Sequence, residues 1–175
     1  NGKVDANGFI WMFGGAGYAS TATFGCLNDL WKYNLATNEW TWVSGDNTVN
    51  NLGNYGTMGV AVASNKPGGR DGGSMVLDTA GKIWVFGGGY DASGTCTNKL
   101  SDLWKFDPTT GYWTWMKGDN VADQLGWYNT VGVTNPSSKP GARLMEAFWT
   151  DNYGNFWLFG GYGYGASGSY FGLND

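Results

Sequence analysis

The sequence predicts an all-β protein in which one four-stranded unit is used repeatedly. Three observations predict it: an ungapped recurrence every 73 residues, short apolar runs separated by turn-forming residues, and a wealth of glycine and aromatic side chains. Ile10-Trp11-Met12-Phe13-Gly14-Gly15 returns as Ile83-Trp84-Val85-Phe86-Gly87-Gly88 and again as Phe156-Trp157-Leu158-Phe159-Gly160-Gly161. Leu27-Asn28-Asp29-Leu30-Trp31 returns as Leu100-Ser101-Asp102-Leu103-Trp104 and then as Leu173-Asn174-Asp175. Trp40-Thr41-Trp42 returns as Trp113-Thr114-Trp115, and Pro67-Gly68-Gly69-Arg70 as Pro140-Gly141-Ala142-Arg143. Self-similarity at a fixed long period marks an array of supersecondary units.

The central unit gives the strands in order. Ser74 to Leu77 is the first, ended by Asp78-Thr79-Ala80-Gly81, and Lys82 to Phe86 is the second, ended by the diglycine. A loop of 11 residues, Gly89–Lys99, leads to a third strand from Leu100 to Phe106. The turn Asp107-Pro108-Thr109-Thr110-Gly111 then reverses the chain into a fourth strand, Tyr112 to Met116. Asp, Pro and Gly suit these turns because they bond their own backbone, preset φ or tolerate positive φ. No helical period competes.

These motifs resemble the kelch family: a diglycine closing the second strand, then an aromatic, six intervening residues and Trp, here Tyr33 with Trp40 and Phe106 with Trp113. The resemblance implies a fragment of a β-propeller with four antiparallel strands per blade. Kelch units run to about 50 residues, so the 73-residue unit is a variant, its surplus lying between successive blades. The expected organisation is a partial blade over residues 1–43 with an insert over 44–69, a complete blade over 70–117 with an insert over 118–142, and a partial blade over 143–175. Because propellers close with about 4–8 blades, the pattern predicts a longer chain or further copies supplying the neighbouring blades.

Charged residues make up 14% of the chain, below the roughly 25% of ordinary soluble domains. The net charge of −4 is spread thinly, with no basic run to neutralise phosphates, so nucleic acid is not an expected partner. No run of apolar residues has the length of a membrane span. A targeting segment, if the protein has one, is expected outside these residues.

The sequence contains no histidine, the commonest general base and metal ligand. The copper site of galactose-oxidase-like relatives therefore does not carry over; no catalytic residue, metal or cofactor is expected, although an enzyme completed by further blades stays as an alternative. Gly163-Tyr164-Gly165-Ala166-Ser167-Gly168 matches a dinucleotide fingerprint in letters, but it leads into a strand where that fingerprint must open a helix. Asp46 and Asp119, in repeated Gly-Asp-Asn turns, are expected as Asx-turns rather than calcium ligands. Gly14, Gly15, Gly87, Gly88, Gly160, Gly161, Trp40, Trp113, Arg70 and Arg143 repeat faithfully, which assigns them to structure; the two arginines suit hydrogen bonds between blades. Cys26 and Cys96 fall in the same loop of neighbouring blades, three positions out of phase, which suits either a disulfide in a secreted chain or two free thiols.

In an up-and-down blade the long loops, 16–26, 89–99 and 162–172, share one face with the inserts. Aromatic residues there that depart from the repeat are the candidate ligand contacts: Tyr18, Phe24, Tyr55, Tyr90, Trp127, Tyr128 and Tyr164. The expected function is a non-catalytic extracellular recognition or adhesion scaffold for glycans or protein partners, secreted or at the cell surface, with a building block of an extracellular sheath or filament as the alternative.

Overall fold

The computed structural model describes residues 2–20, 22–90 and 95–175. The fold is all-β, made of antiparallel sheets of two to four strands. The first sheet has the order β1 (Gly2–Val4), β2 (Phe9–Tyr18), β3 (Phe24–Asn34) and β4 (Glu39–Ser44). The second joins β5 (Ser74–Leu77), β6 (Ile83–Phe86), β9 (Leu103–Asp107) and β10 (Tyr112–Lys117) in that order, while β7 (Gly89–Tyr90) and β8 (Asn98–Lys99) form a small hairpin beside it. The third repeat holds β11 (Arg143–Leu144), β12 (Ala147–Thr150), β13 (Phe156–Phe159), β14 (Tyr162–Tyr164) and β15 (Tyr170–Gly172), with β12 pairing β13 and β14 set between β11 and β15.

Asp at the first turn of each repeat explains why the chain reverses there. Asp78 Oδ1 accepts the backbone N–H groups of Ala80 and Lys82, and Oδ2 accepts the Trp84 indole N–H at 2.8 Å. Asp5 with Trp11 and Asp151 with Trp157 repeat the arrangement at 2.8 and 2.9 Å. One carboxylate thus satisfies the turn backbone and orients the tryptophan of the following strand.

The sheets pack face to face. Trp11 and Phe13 of the first meet Phe106 and Trp113 of the second, with ring centroids 6.5 and 5.3 Å apart. Leu30, Met75, Ile83, Val85 and Trp104 complete this buried cluster. On its opposite face the second sheet presents Trp84 to Phe156, 4.7 Å away, and Phe86 to Phe148, 6.2 Å away. The cores therefore lie between units, so each unit depends on a neighbour for burial.

The first sheet has four strands, as the second does. Several strand boundaries differ from the sequence reading. Residues 16–26, expected as a loop, largely continue as strand, with Ala16 paired to Cys26 and Tyr18 to Phe24. The diglycine of this unit makes a register shift between Phe13 and Gly15 rather than ending the strand, because antiparallel pairing resumes beyond the bulge. The third strand of the second unit starts at Leu103, not Leu100, because Leu100 donates to Gly88 and the Asp102 carbonyl accepts from Gly87 outside the regular ladder. Residues 162–172, expected as a loop, supply β14 and β15.

Candidate functional site

The diglycines join neighbouring units. Gly87 has φ of 61°, and a Cβ there would lie 2.7 Å from the Arg143 carbonyl oxygen. Gly88 N–H donates to that same carbonyl at 2.8 Å, as Gly15 N–H does to Arg70. A side chain at either first glycine would force the next unit away.

Each of these arginines bridges two units. Arg70 N–H donates to Leu27 of the first unit at 2.9 Å. Its guanidinium reaches into the second unit, donating to Asp102 at 2.7 and 2.9 Å and to the Gly87 carbonyl at 3.0 Å. Asp102 also accepts the Tyr55 hydroxyl and the Trp104 indole N–H, each at 2.7 Å. Arg143, Asp175 and Tyr128 repeat the set one period on. Tyr55 is therefore placed differently from the sequence reading: it packs between Trp104 and Trp115, with centroids at 4.9 and 5.2 Å, and its phenol pKa is pushed up by burial and the neighbouring Asp102 carboxylate. Its hydroxyl and both faces of its ring are engaged at the junction.

The long connections do gather. Asn50 N–H donates to Cys26, while Asp123 N–H donates to Lys99 and Tyr164 N–H to Ala142. Both inserts are thereby held against the connections between the second and third strands, much of which pairs as strand. Cys26 and Cys96 join neighbouring units in a disulfide, with Cα atoms 6.0 Å apart. Asp46 is held by Lys66 at 2.5 Å and Asn28 at 2.9 Å; burial pushes its pKa up, and these bonds outweigh that and lower it. Asp119 is likewise bound by Lys139 and Ser101. Among the described residues no group of three or more His, Cys, Asp or Glu could hold a metal ion.

Of the candidate aromatics, Tyr18 is the most exposed, at 73%. Trp127 is 61% exposed and sits where the preceding repeat has Asn54. Its backbone exchanges hydrogen bonds of 2.9 and 3.1 Å with Lys139, an antiparallel bridge that fixes its position. Recesses of about 350 and 530 Å³ flank it, both lined also by Tyr128 and Lys139, the larger reaching Gln124 and Ala166. Tyr128 is half exposed, its hydroxyl bound to Asp175. Tyr18 and Phe24 form a separate exposed pair at the tip of the first hairpin, with centroids 5.4 Å apart. Tyr90 lines a crevice of about 40 Å³ with Tyr55, and Tyr164 packs on Tyr170 at 5.6 Å. The structure thus brings Trp127 and Tyr128 together and leaves Tyr18 and Phe24 apart from them.

Sequence reading passed over Glu146, which stands where the preceding repeat has Gly73. It is buried, both carboxylate oxygens lack hydrogen-bond partners, and burial pushes its pKa up to about 7. At the first junction, the region around Gly73 holds a partly open cavity of about 120 Å³ lined by Phe13, Arg70, Ser74 and Val85. The departure of Glu146 from the repeat was the available signal.

No family model matches the chain, and no curated protein matches it. Among solved structures it is similar to one described as "Structure of YjhT", at 16% identity and a TM-score of 0.49, over 93% of this chain and 58% of that one. The chain therefore spans little more than half the length of that structure.

Proposed function

We propose that this chain is part of a kelch-type β-propeller that acts as a non-catalytic recognition module, binding a neutral polar ligand, a glycan or a protein surface, on the face where its long loops gather. Trp127 carries the reading. It departs from the repeat, so packing of successive units does not account for it, and it is exposed at 61% on a backbone bridge between two recesses. A fixed indole offers a stacking surface for a sugar ring or an aromatic side chain at low entropic cost. Gln124 and Lys139, lining the larger recess, supply hydrogen-bonding groups for hydroxyls. The disulfide between Cys26 and Cys96 supports an extracellular setting, since such bonds persist in oxidising compartments.

The test is a panel of neutral glycans and protein surfaces screened against the parent chain and against Trp127→Ala, Tyr18→Ala, Tyr90→Ala and Tyr164→Ala. Trp127→Ala is expected to weaken binding at least tenfold with thermal unfolding unchanged. Binding that survives in Trp127→Ala would remove this site from consideration.

A further inference from the structure

The larger recess beside Trp127 has a definite chemical character, and the class of ligand drawn from it rests on the recognition reading of that site. The recess, of about 530 Å³, is built from two parts of the chain: Gln124, Trp127 and Lys139 of the insert over 118–142, and Ala166 of the connection between β14 and β15. Ala142 ties the two together, its N–H donating to the Gln124 carbonyl at 2.8 Å and its carbonyl accepting the Tyr164 N–H at 2.9 Å. The Gln124 side chain is itself held, Nε2 donating to the Ala122 carbonyl at 3.0 Å.

The openness of this site belongs to its place in the repeat. One period earlier Leu52 and Asn54 stand at the phases of Leu125 and Trp127, at a junction where the second unit supplies all four of its strands. Leu52 is 62% exposed there, and Asn54 is exposed as well. A complete following unit therefore leaves this phase in solvent, whereas Tyr55, at the phase of Tyr128, is drawn inward. Trp127 is thus a surface residue by position, and Tyr128 a junction residue.

Charge decides the class of ligand. Among the described residues Lys139 is the one charged side chain lining the recess, and its ammonium donates to Asp119. The two charges cancel, so an acidic ligand would shed its water without meeting an unmatched cation. The ammonium keeps further N–H donors, and Asp119, engaged by Lys139 and Ser101 through Oδ2, keeps Oδ1 as an acceptor. Hydroxyl groups, which both donate and accept, fit such a pair. The volume falls in the range of small-ligand sites, about 300–1,000 Å³, whereas a protein partner needs a contact of about 800 Å² on each side. The indole sets a flat apolar surface beside these polar groups, which matches a sugar ring with C–H faces and hydroxyl edges. We propose that the recess takes a pyranose unit of an uncharged glycan, its ring stacked on Trp127 and its hydroxyls bonded by Lys139 and Gln124, and that the pairing of Lys139 with Asp119 sets the preference for uncharged over acidic sugars.

The test is a panel of uncharged oligosaccharides, their sialylated and uronic-acid counterparts, and a set of deglycosylated secreted proteins, each measured against the parent chain. Binding of uncharged glycans is expected, unaltered between about 50 and 500 mM salt because no net charge is matched. Trp127→Asn, which restores the residue of the preceding repeat, should weaken it at least tenfold with thermal unfolding unchanged. Asp119→Asn leaves Lys139 unpaired and should move the preference at least tenfold toward the acidic sugars; Asp119→Ser replaces it should circular dichroism show loss of the sheets. A parent chain that prefers the acidic set, or a preference unmoved by the Asp119 variant, would overturn the proposal. Trp127-dependent binding of the proteins alone would also overturn it while leaving the recognition reading in place. No Trp127-dependent binding of any probe would remove both.

Discussion

Arg70 and Asp102 meet as a two-bond ion pair at 2.7 and 2.9 Å with both side chains withdrawn from solvent, while the Arg70 backbone is bonded to the preceding unit. This one residue carries the register between two sheets, and the same device recurs as Arg143 and Asp175. In the second pair the Asp175 side chain is 29% exposed.

Asp102→Ala is expected to destabilise the fold by about 3–5 kcal/mol, since it leaves a buried guanidinium without its counter-charge. Urea unfolding midpoints of the parent and the variant measure this, and a loss below about 1 kcal/mol would contradict the account.

Glu146 gives stability an unusual pH dependence. The unfolded carboxyl ionises near its ordinary 4.5, whereas burial holds the folded one at about 7. Between those values the unfolded state has released a proton that the folded state keeps, so stability falls as pH rises and the loss is complete above the folded pKa. The interval corresponds to about 3 kcal/mol. Arg143 is the charged neighbour that limits the shift, and the Ser74 hydroxyl donates to the Glu146 carbonyl at 2.8 Å. Glu146→Gln should flatten the dependence and leave the variant more stable than the parent at about pH 8. Denaturant midpoints across this range decide it, an unchanged slope in the variant counting against the assignment.

The disulfide links residues 70 positions apart in sequence. Closing a loop of that length restricts the unfolded chain, and its reduction should cost about 2–5 kcal/mol. Thermal unfolding with and without reductant, alongside Cys26→Ser/Cys96→Ser, measures this; identical transitions would show that the bond does not constrain the chain.

Trp113 and Trp40 hold the same place in successive repeats but sit in different surroundings. Trp113→Ala should cost about 3–5 kcal/mol, the range for emptying a buried aromatic site. Trp40→Ala in these 175 residues should cost about 1 kcal/mol or less. Similar losses at the two sites would mean that Trp40 is covered within one chain.

The sequence alone determined the period, the four apolar runs of the central unit and the turns between them, because turn chemistry and strand alternation are local properties of neighbouring residues. It also marked Trp127 as a departure from the repeat, since that needs nothing beyond comparing 54 with 127. What it could not show was whether an identical residue meets a neighbour: Trp40 and Trp113 are the same letter at the same phase, and burial depends on which sheet stands opposite. Nor could it show that the Tyr55 hydroxyl is drawn inward by Asp102, 47 residues away. Only the tertiary structure decided that residues 16–26 largely continue as strand past a glycine bulge and that Glu146 is shut between two units. Each of these depends on contacts between distant segments, whose energies are set by packing and desolvation across a junction rather than by the run of residues on either side.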